Sequence, residues 1–390
     1  MEGSFVLLTL AGILIGARFS GRISAWLGLP SVFGELLFGL MLGPAGLGWL
    51  RPTELLKTVA DLGVIVLMFI AGLETDWREL RRVGPTSFWT AVGGMVLPFV
   101  TALALGRAFN LTESQALFLG ATLTATSVSI SAQTLRELGQ LQGRVGMTVL
   151  GAAVIDDVLG MVVLALITGL IGLGSPLLAV LKMAAFCGFA FLFGRRLINS
   201  MARWIARHHP GESGLALVIA LVLVASWAAQ EFGGLAAITG AYLMGIMIAQ
   251  TQLKPQVTAG TLALGYGLLV PVFFVTVGLE AHVPALGMLS AFIALLTALA
   301  VVTKMVGCGL GAWLSGCLPT ESLRIGAGMV ARGEVALVMA TLGRKMGLLN
   351  PTLYTAVVVM TLATTLVTPV LLKMTFVASY RRPAEPAVEA

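Results

Sequence analysis

Charged residues are scarce in this sequence. Asp, Glu, Lys and Arg make up 11% of its 390 residues, against roughly 25% in an ordinary soluble domain. Long apolar stretches recur from Phe5 to Val377, so no soluble domain of useful size is left over. Cysteine is scarcer still. Cys187, Cys308 and Cys317 lie within or at the end of apolar segments. They offer neither zinc spacing nor a disulfide framework and read as small buried hydrophobes. The alternating segments of a membrane barrel, ~10 residues each, are also missing. What remains is an all-α polytopic membrane protein, in which each crossing needs roughly 20 mostly apolar residues. The N-terminus, MEGSFVLLTLAGILIGARF, begins acidic and lacks a convincing cleavage site. It reads as a retained first span rather than a signal peptide.

Gly/Pro breaks and charged clusters divide the chain into thirteen expected spans. They run near 4–18, 31–49, 58–73, 85–107, 114–135, 145–172, 176–194, 213–230, 235–250, 257–279, 285–316, 323–343 and 352–377. All seven Trp fall in a connection or near a span end, as interfacial belts predict. An odd number of spans puts the termini on opposite sides. Counted by side, 16 Lys and Arg share one face and 5 the other, while Lys182, Lys304 and Arg332 fall inside spans. The positive-inside rule then places the N-terminus outside and the C-terminus in the cytoplasm. The net charge of +6 is thereby an orientation signal, and no nucleic-acid partner is expected. The segment 195–212 reads as a basic amphipathic stretch on the cytoplasmic surface, with His208 and His209 as a solvated pair.

Two local matches share one offset. LMFIAGLE (67–74) resembles FFVTVGLE (273–280), and FGELLFGLMLG (33–43) resembles TGAYLMGIMIA (239–249), both displaced by 206 residues. The matched spans are seven apart in order, so the copies cross in opposite directions. Inverted repeats of this kind mark secondary transporters, whose sites lie near the midplane where paired helices break. The same offset pairs ATSVSISAQTL (125–135) with ARGEVALVMAT (331–341). Polar residues deep in both, Thr126-Ser127 and Arg332-Gly333-Glu334, predict two crossed discontinuous helices whose freed backbone groups need partners. For Thr126 and Ser127 the alternative is a hydroxyl bonded back to its own helix.

Ionisable residues inside a membrane are costly, at least ~2.5–3.5 kcal/mol each, and functional by default. Asp61 and Lys182 lie close enough to span ends to snorkel. Glu35, four residues into its span in a Gly-rich setting, either lines a funnel or faces the interface, with the second slightly favoured. Asp156 and Asp157 differ, because at ~1.5 Å per residue they sit about 17–18 Å into their span, near the midplane. Lys304 lies equally deep in an antiparallel span. Neighbours on a helix point ~100° apart, so one aspartate can pair with Lys304 while the other faces a cavity. Two carboxylates so close resist ionising together. Such a site holds a proton or a hard cation, and that competition is the core of cation/proton exchange. The plain alternative is a buried Asp–Lys bridge that only fixes packing, which leaves the second aspartate unexplained. An intramembrane aspartyl protease needs facing aspartates from different helices and a GxGD motif; neither is present, so no enzyme is expected. A sensor or scaffold without transport would need no such pair.

Taken together, GAAVIDDVLG, LMFIAGLETD, the intramembrane lysine and GMVARGEVALV resemble the monovalent cation/proton antiporters of the Kef-like branch. The resemblance spans essentially the whole chain. It implies a homodimer and an elevator-like motion of a six-helix core against a scaffold. The scaffold would comprise 1–80 and 213–283, the core 81–175 and 284–380, with a linker at 176–212 and a cytoplasmic tail at 381–390. It also implies Asp157 as the main ion-binding carboxylate, Asp156 as the partner of Lys304, and Thr126 and Ser127 at the break beside the site. The double aspartate is the pattern of electrogenic members, whereas electroneutral relatives carry Asn at the first position and Kef proteins commonly Gln. Full-length Kef proteins add a cytosolic nucleotide-binding domain that this sequence does not show, so nucleotide or glutathione gating is not expected. The implied activity is electrogenic exchange of sodium (or lithium) for protons in a bacterial inner membrane without a cofactor. The alternative is potassium/proton exchange or Kef-like potassium efflux.

Overall fold

A computed structural model of the chain describes residues 2–27, 29–170, 176–190, 194–208, 212–280 and 290–380. Every regular element among the described residues is helical. The first half comprises α1 (Glu2–Trp26), α2 (Ser31–Leu42), α3 (Glu54–Glu74), α4 (Trp77–Ala108), α5 (Glu113–Thr124), α6 (Val128–Glu137) and α7 (Arg144–Leu170). Two helices follow, α8 (Pro176–Phe189) and α9 (Arg195–His208). The second half contains α10 (Glu212–Glu231), α11 (Ala237–Ala249), α12 (Lys254–Leu264) and α13 (Val270–Leu279), with a π-helical turn at Gly265–Leu269. It closes with α14 (Ser290–Leu314), α15 (Pro319–Gly328), α16 (Glu334–Lys345) and α17 (Pro351–Tyr380). Polar caps start several of these helices. Thr53 accepts from the Leu56 amide, and Asp76 from the amides of Arg78 and Glu79. Thr112 and Gln115 close a capping box on α5.

The thirteen expected spans each coincide with an apolar helical stretch, of two lengths. Among the described residues, nine helical stretches are long and apolar enough to cross a membrane. The other four expected spans fall on shorter apolar helices, Ser31–Leu42, Pro176–Phe186, Ala237–Ala249 and Val335–Arg344. α2 stops because Gly43 is extended (φ −75°, ψ −179°) ahead of Pro44, as a residue before proline prefers. The stretch in α16 is short because it is one half of a broken helix.

The repeat is visible in backbone contacts. α2 packs on α13, and α3 on α11. A Cβ on Gly39 would lie 2.0 Å from the Val275 carbonyl oxygen, and one on Gly278 would lie 2.2 Å from that of Leu36. Shifting each number by 206 gives Gly245 against Phe69 and Gly72 against Tyr242, where the corresponding distances are 2.4 and 2.4 Å. Exchanging the halves reproduces the contact residue for residue, as two-fold-related copies require. Small residues let helices in lipid approach this closely. Gly39→Ala and Gly245→Ala should therefore each destabilise by about 1–3 kcal/mol, because the clashing atoms are backbone. Gly12→Ala, where a Cβ meets nothing within 4 Å, should be neutral or slightly stabilising. Melting midpoints of the purified variants check this, and a wild-type midpoint for Gly39→Ala would refute the close approach.

The helices fall into two packing groups. One gathers α4–α7 and α14–α17, with α4 and α14 in long contact; the other gathers α1–α3 and α10–α13. α6 and α17 touch α2, and α6 also touches α3, so these helices lie where the groups meet.

Candidate ion-binding site

Two interrupted helices cross at the centre. α5 ends at Thr124, and the chain is extended at Ala125 (φ −59°, ψ 142°) and Ser127 (φ −95°, ψ 112°) before α6 begins. The second break covers 329–333, between α15 and α16. The Ser127 amide donates to the Ala331 carbonyl at 2.8 Å, tying the breaks together. Gly333 permits the approach, since a Cβ there would lie 2.6 Å from Ser127 Oγ.

Breaking a helix in a dry core orphans its last carbonyls. Here two cations cover them. Lys304 Nζ donates to the Thr124 carbonyl at 2.6 Å. Arg332 Nη1 donates to the Val330 carbonyl at 2.8 Å and Nη2 to that of Ala300 at 3.1 Å. Both side chains are fully buried. Positive charge at a helix C-terminus is also favoured by the helix dipole.

Lys304 Nζ also donates to Asp156 Oδ2 at 2.7 Å, and Thr126 Oγ1 donates to the same oxygen. Asp156 Oδ1 finds no hydrogen-bond partner among the described residues. Asp157, 4% exposed, points elsewhere: its Oδ2 accepts from Thr239 Oγ1 on α11 at 3.2 Å. Thr126 does not bond back to its own helix, unlike Thr122 and Thr124, which bond to the carbonyls of Leu119 and Ala121. Ser127 Oγ pairs with Ser129 Oγ at 3.0 Å rather than with either aspartate. Glu334 opens α16; its side chain lies outside the described residues.

A cavity of about 210 Å³ reaches this crossing from one end of the bundle. Lys57, Asp61 and Glu280 stand at its far end, and Ser127 and Gly333 at the crossing. Thr276 and Thr361 line it, and their buried hydroxyls find no protein partner among the described residues. Asp157 is not in this lining, so the cavity faces the break rather than that carboxylate.

At the opposite end the two helix groups are held together. Glu137, the last residue of α6, accepts from the Ser31 amide at 2.6 Å and from the Ser31 hydroxyl. Arg136 pairs with Glu74 at 3.0 Å and lies over the Tyr266 ring, 4.3 Å from its centroid.

A family model described as sodium/hydrogen exchanger, transmembrane, matches residues 5–378. The chain belongs to that family. It is similar to the Na(+)/H(+)-K(+) antiporter GerN of Bacillus cereus, 41% identical over 94% of this chain and 95% of that protein. An Enterococcus hirae Na(+)/H(+) antiporter is 35% identical over 93% and 95% of the two chains. Among solved structures, the sodium proton antiporter MjNhaP1 of Methanocaldococcus jannaschii shares the fold, with a TM-score of 0.78 at 19% identity. That match covers 99% of this chain and 100% of the other. The cation/proton antiporter family read from the motifs stands, whereas the Kef-like branch is a different one from that of these relatives.

Within this sodium/hydrogen exchanger, the other charged and reactive residues are placed as follows. Glu35 corrects an expectation: it is buried, 7% exposed, not turned to the interface. α1 covers it: a Cβ on Gly21 would make ordinary contact with Glu35 Oε1, at 3.5 Å. Asp61 and Lys182 are exposed. Cys308 and Cys317 are buried; the Cys187 side chain, His209 and the tail 381–390 lie outside the described residues. Thr239 and the Thr124 carbonyl were not picked out by sequence reasoning. Both lie in segments that it had flagged, one in the repeat match and one beside the predicted break.

Proposed function

We propose that the protein exchanges sodium, and also lithium, for protons across a bacterial inner membrane, with Asp157 as the ion carrier. The observation that carries this reading is the split between the two aspartates. Asp156 is committed to Lys304 and Thr126, while Asp157 meets a hydroxyl, Thr239. A carboxylate beside a neutral hydroxyl can exchange a proton for a hard cation, whose charge would then release Asp156 from Lys304. Sodium enters here as cargo, held by Asp157 with Asp156 as its second carboxylate, and the break residues Thr126, Ser127 and Arg332 line the site. Asp157 alone would trade one proton for one cation; the cycle is electrogenic because Lys304 would release a second proton once Asp156 turns from it to the cation.

The basic surplus supports a cytoplasmic C-terminus and an external N-terminus. The cavity ending at Lys57 and Glu280 then opens outward, and the Glu137 and Arg136 contacts close the cytoplasmic side. Core helices α4–α7 and α14–α17 would slide against a scaffold of α1–α3 and α10–α13, itself paired in a homodimer. Among the contacts that bridge the two groups, that motion has to break Glu137–Ser31, Arg136–Glu74, Arg136–Tyr266 and Asp157–Thr239.

The test is proton flux in proteoliposomes carrying a preset pH gradient. Sodium and lithium should dissipate it, faster when the membrane potential is clamped. A second reading, potassium/proton exchange, draws on the description of GerN as a Na(+)/H(+)-K(+) antiporter. Dissipation by potassium alone would replace the first reading with the second, and no response to any of the three cations would sink both.

A further inference from the structure

We propose that the exposed face of α9 is a binding site for the headgroups of anionic phospholipids. Its sequence, RRLINSMARWIARH, has no acidic residue, and none occurs anywhere between Asp157 and Glu212. At about 100° per residue, Arg196, Arg203 and Arg207 fall within an arc of roughly 40°. All three are exposed, and no carboxylate pairs with them among the described residues. Ile198, Ala202 and Ile205, at most 5% exposed, occupy the opposite side, where α9 packs on α10 and α11. Between these faces Leu197 and Trp204 project, 53% and 52% exposed. His208 steadies Trp204 by stacking on it at 5.5 Å.

Three sectors on one helix match three layers. The packed face belongs to the protein, the Leu197 and Trp204 flank suits the acyl boundary, and the arginine stripe suits headgroup phosphates. An acidic protein partner would match the arginines but would leave Leu197 and Trp204 unexplained. Arginine also engages phosphate through paired donors. The site has a route to transport, because α9 packs on α11, the helix whose Thr239 bonds Asp157. That consequence for exchange rests on the proposed function; the lipid binding itself does not.

The experiment follows the melting midpoint of detergent-solubilised protein titrated with phosphatidylglycerol, phosphatidylcholine or soluble glycerol phosphate. Phosphatidylglycerol should raise the midpoint and the other two should not. Arg196→Gln/Arg203→Gln/Arg207→Gln should need roughly a hundredfold more phosphatidylglycerol, at about fivefold per arginine. The corresponding triple Lys variant should still respond, and Arg203→Gln alone should lose about fivefold, which keeps the test alive if the triple Gln variant does not fold. An unchanged titration in the Gln variants, an equal response to phosphatidylcholine, or a shift by glycerol phosphate alone would each overturn the site. In liposomes, added phosphatidylglycerol should speed exchange by the wild type and not by the triple Gln variant. If no variant exchanges at all, the proposed function fails while the titration still decides the lipid site.

Discussion

Asp157→Asn should reduce sodium-driven proton movement in proteoliposomes to the level of protein-free vesicles, while leaving the melting midpoint near that of the wild type. The two halves of this expectation rest on different properties of one side chain. Asn matches Asp in shape, and its carbonyl oxygen can still accept from the Thr239 hydroxyl that now reaches Asp157 Oδ2 at 3.2 Å. The charge is lost, and with it the ability to release a proton and hold a cation in its place. A carboxamide does neither in the accessible pH range. Asp156 cannot take over, because Lys304 and Thr126 both hold its Oδ2. The two residues lie on one helix about 100° apart, so neither can swing into the other's position. Ordinary exchange by Asp157→Asn would falsify the carrier assignment. Loss of the melting midpoint together with activity would recast Asp157 as a structural residue.

Depth along the membrane was legible in the sequence because a helix rises by a fixed amount per residue. That arithmetic brought Asp156 and Lys304 to one level, and the structure joins them at 2.7 Å. The 206-residue offset likewise located both interruptions, since Thr126-Ser127 and Arg332-Gly333 carry polar groups where a continuous span would be apolar. Azimuth was not legible. Which way Asp157 turns depends on how α7 and α11 are rotated, and apolar stretches facing lipid on one side and protein on the other carry little periodicity. Glu35 failed for the same reason: four residues into a helix says nothing about whether α1 lies over it. The far end of the second span was not legible either: 31–49 was expected, and α2 stops at Leu42, where a Gly-Pro pair ends the helix inside an apolar run. The offset also carries Asp156 and Asp157 onto Leu362 and Ala363, so the repeat builds a two-fold frame and leaves the chemistry in one half. Lys304 is the contribution of the other half, bonded both to the end of a broken helix and to the carboxylate beside it.

That double role makes Lys304→Ala the most damaging single change expected for stability. The side chain is fully buried and serves two acceptors, Asp156 Oδ2 and the Thr124 carbonyl. Truncation strands a carboxylate without its cation, which costs about 3–5 kcal/mol when the pair is buried. It also leaves the end of α5 without a donor, about 1–3 kcal/mol more. α4 offers no substitute, because Gly94 passes the lysine with no side chain of its own; a Cβ there would lie 3.4 Å from Lys304 Cε. Asp156→Asn placed in the Lys304→Ala background should recover part of the lost midpoint by removing the unpaired charge, whereas Asp156→Asn alone should lower it by stranding the lysine. A double variant no more stable than the sum of the two single losses would show that the residues are not coupled. The same protein in liposomes decides a separate question. If Lys304 carries one of the transported protons, the exchange that survives in Lys304→Ala should no longer respond to membrane potential. A lysine that only holds the crossing together would leave that response intact.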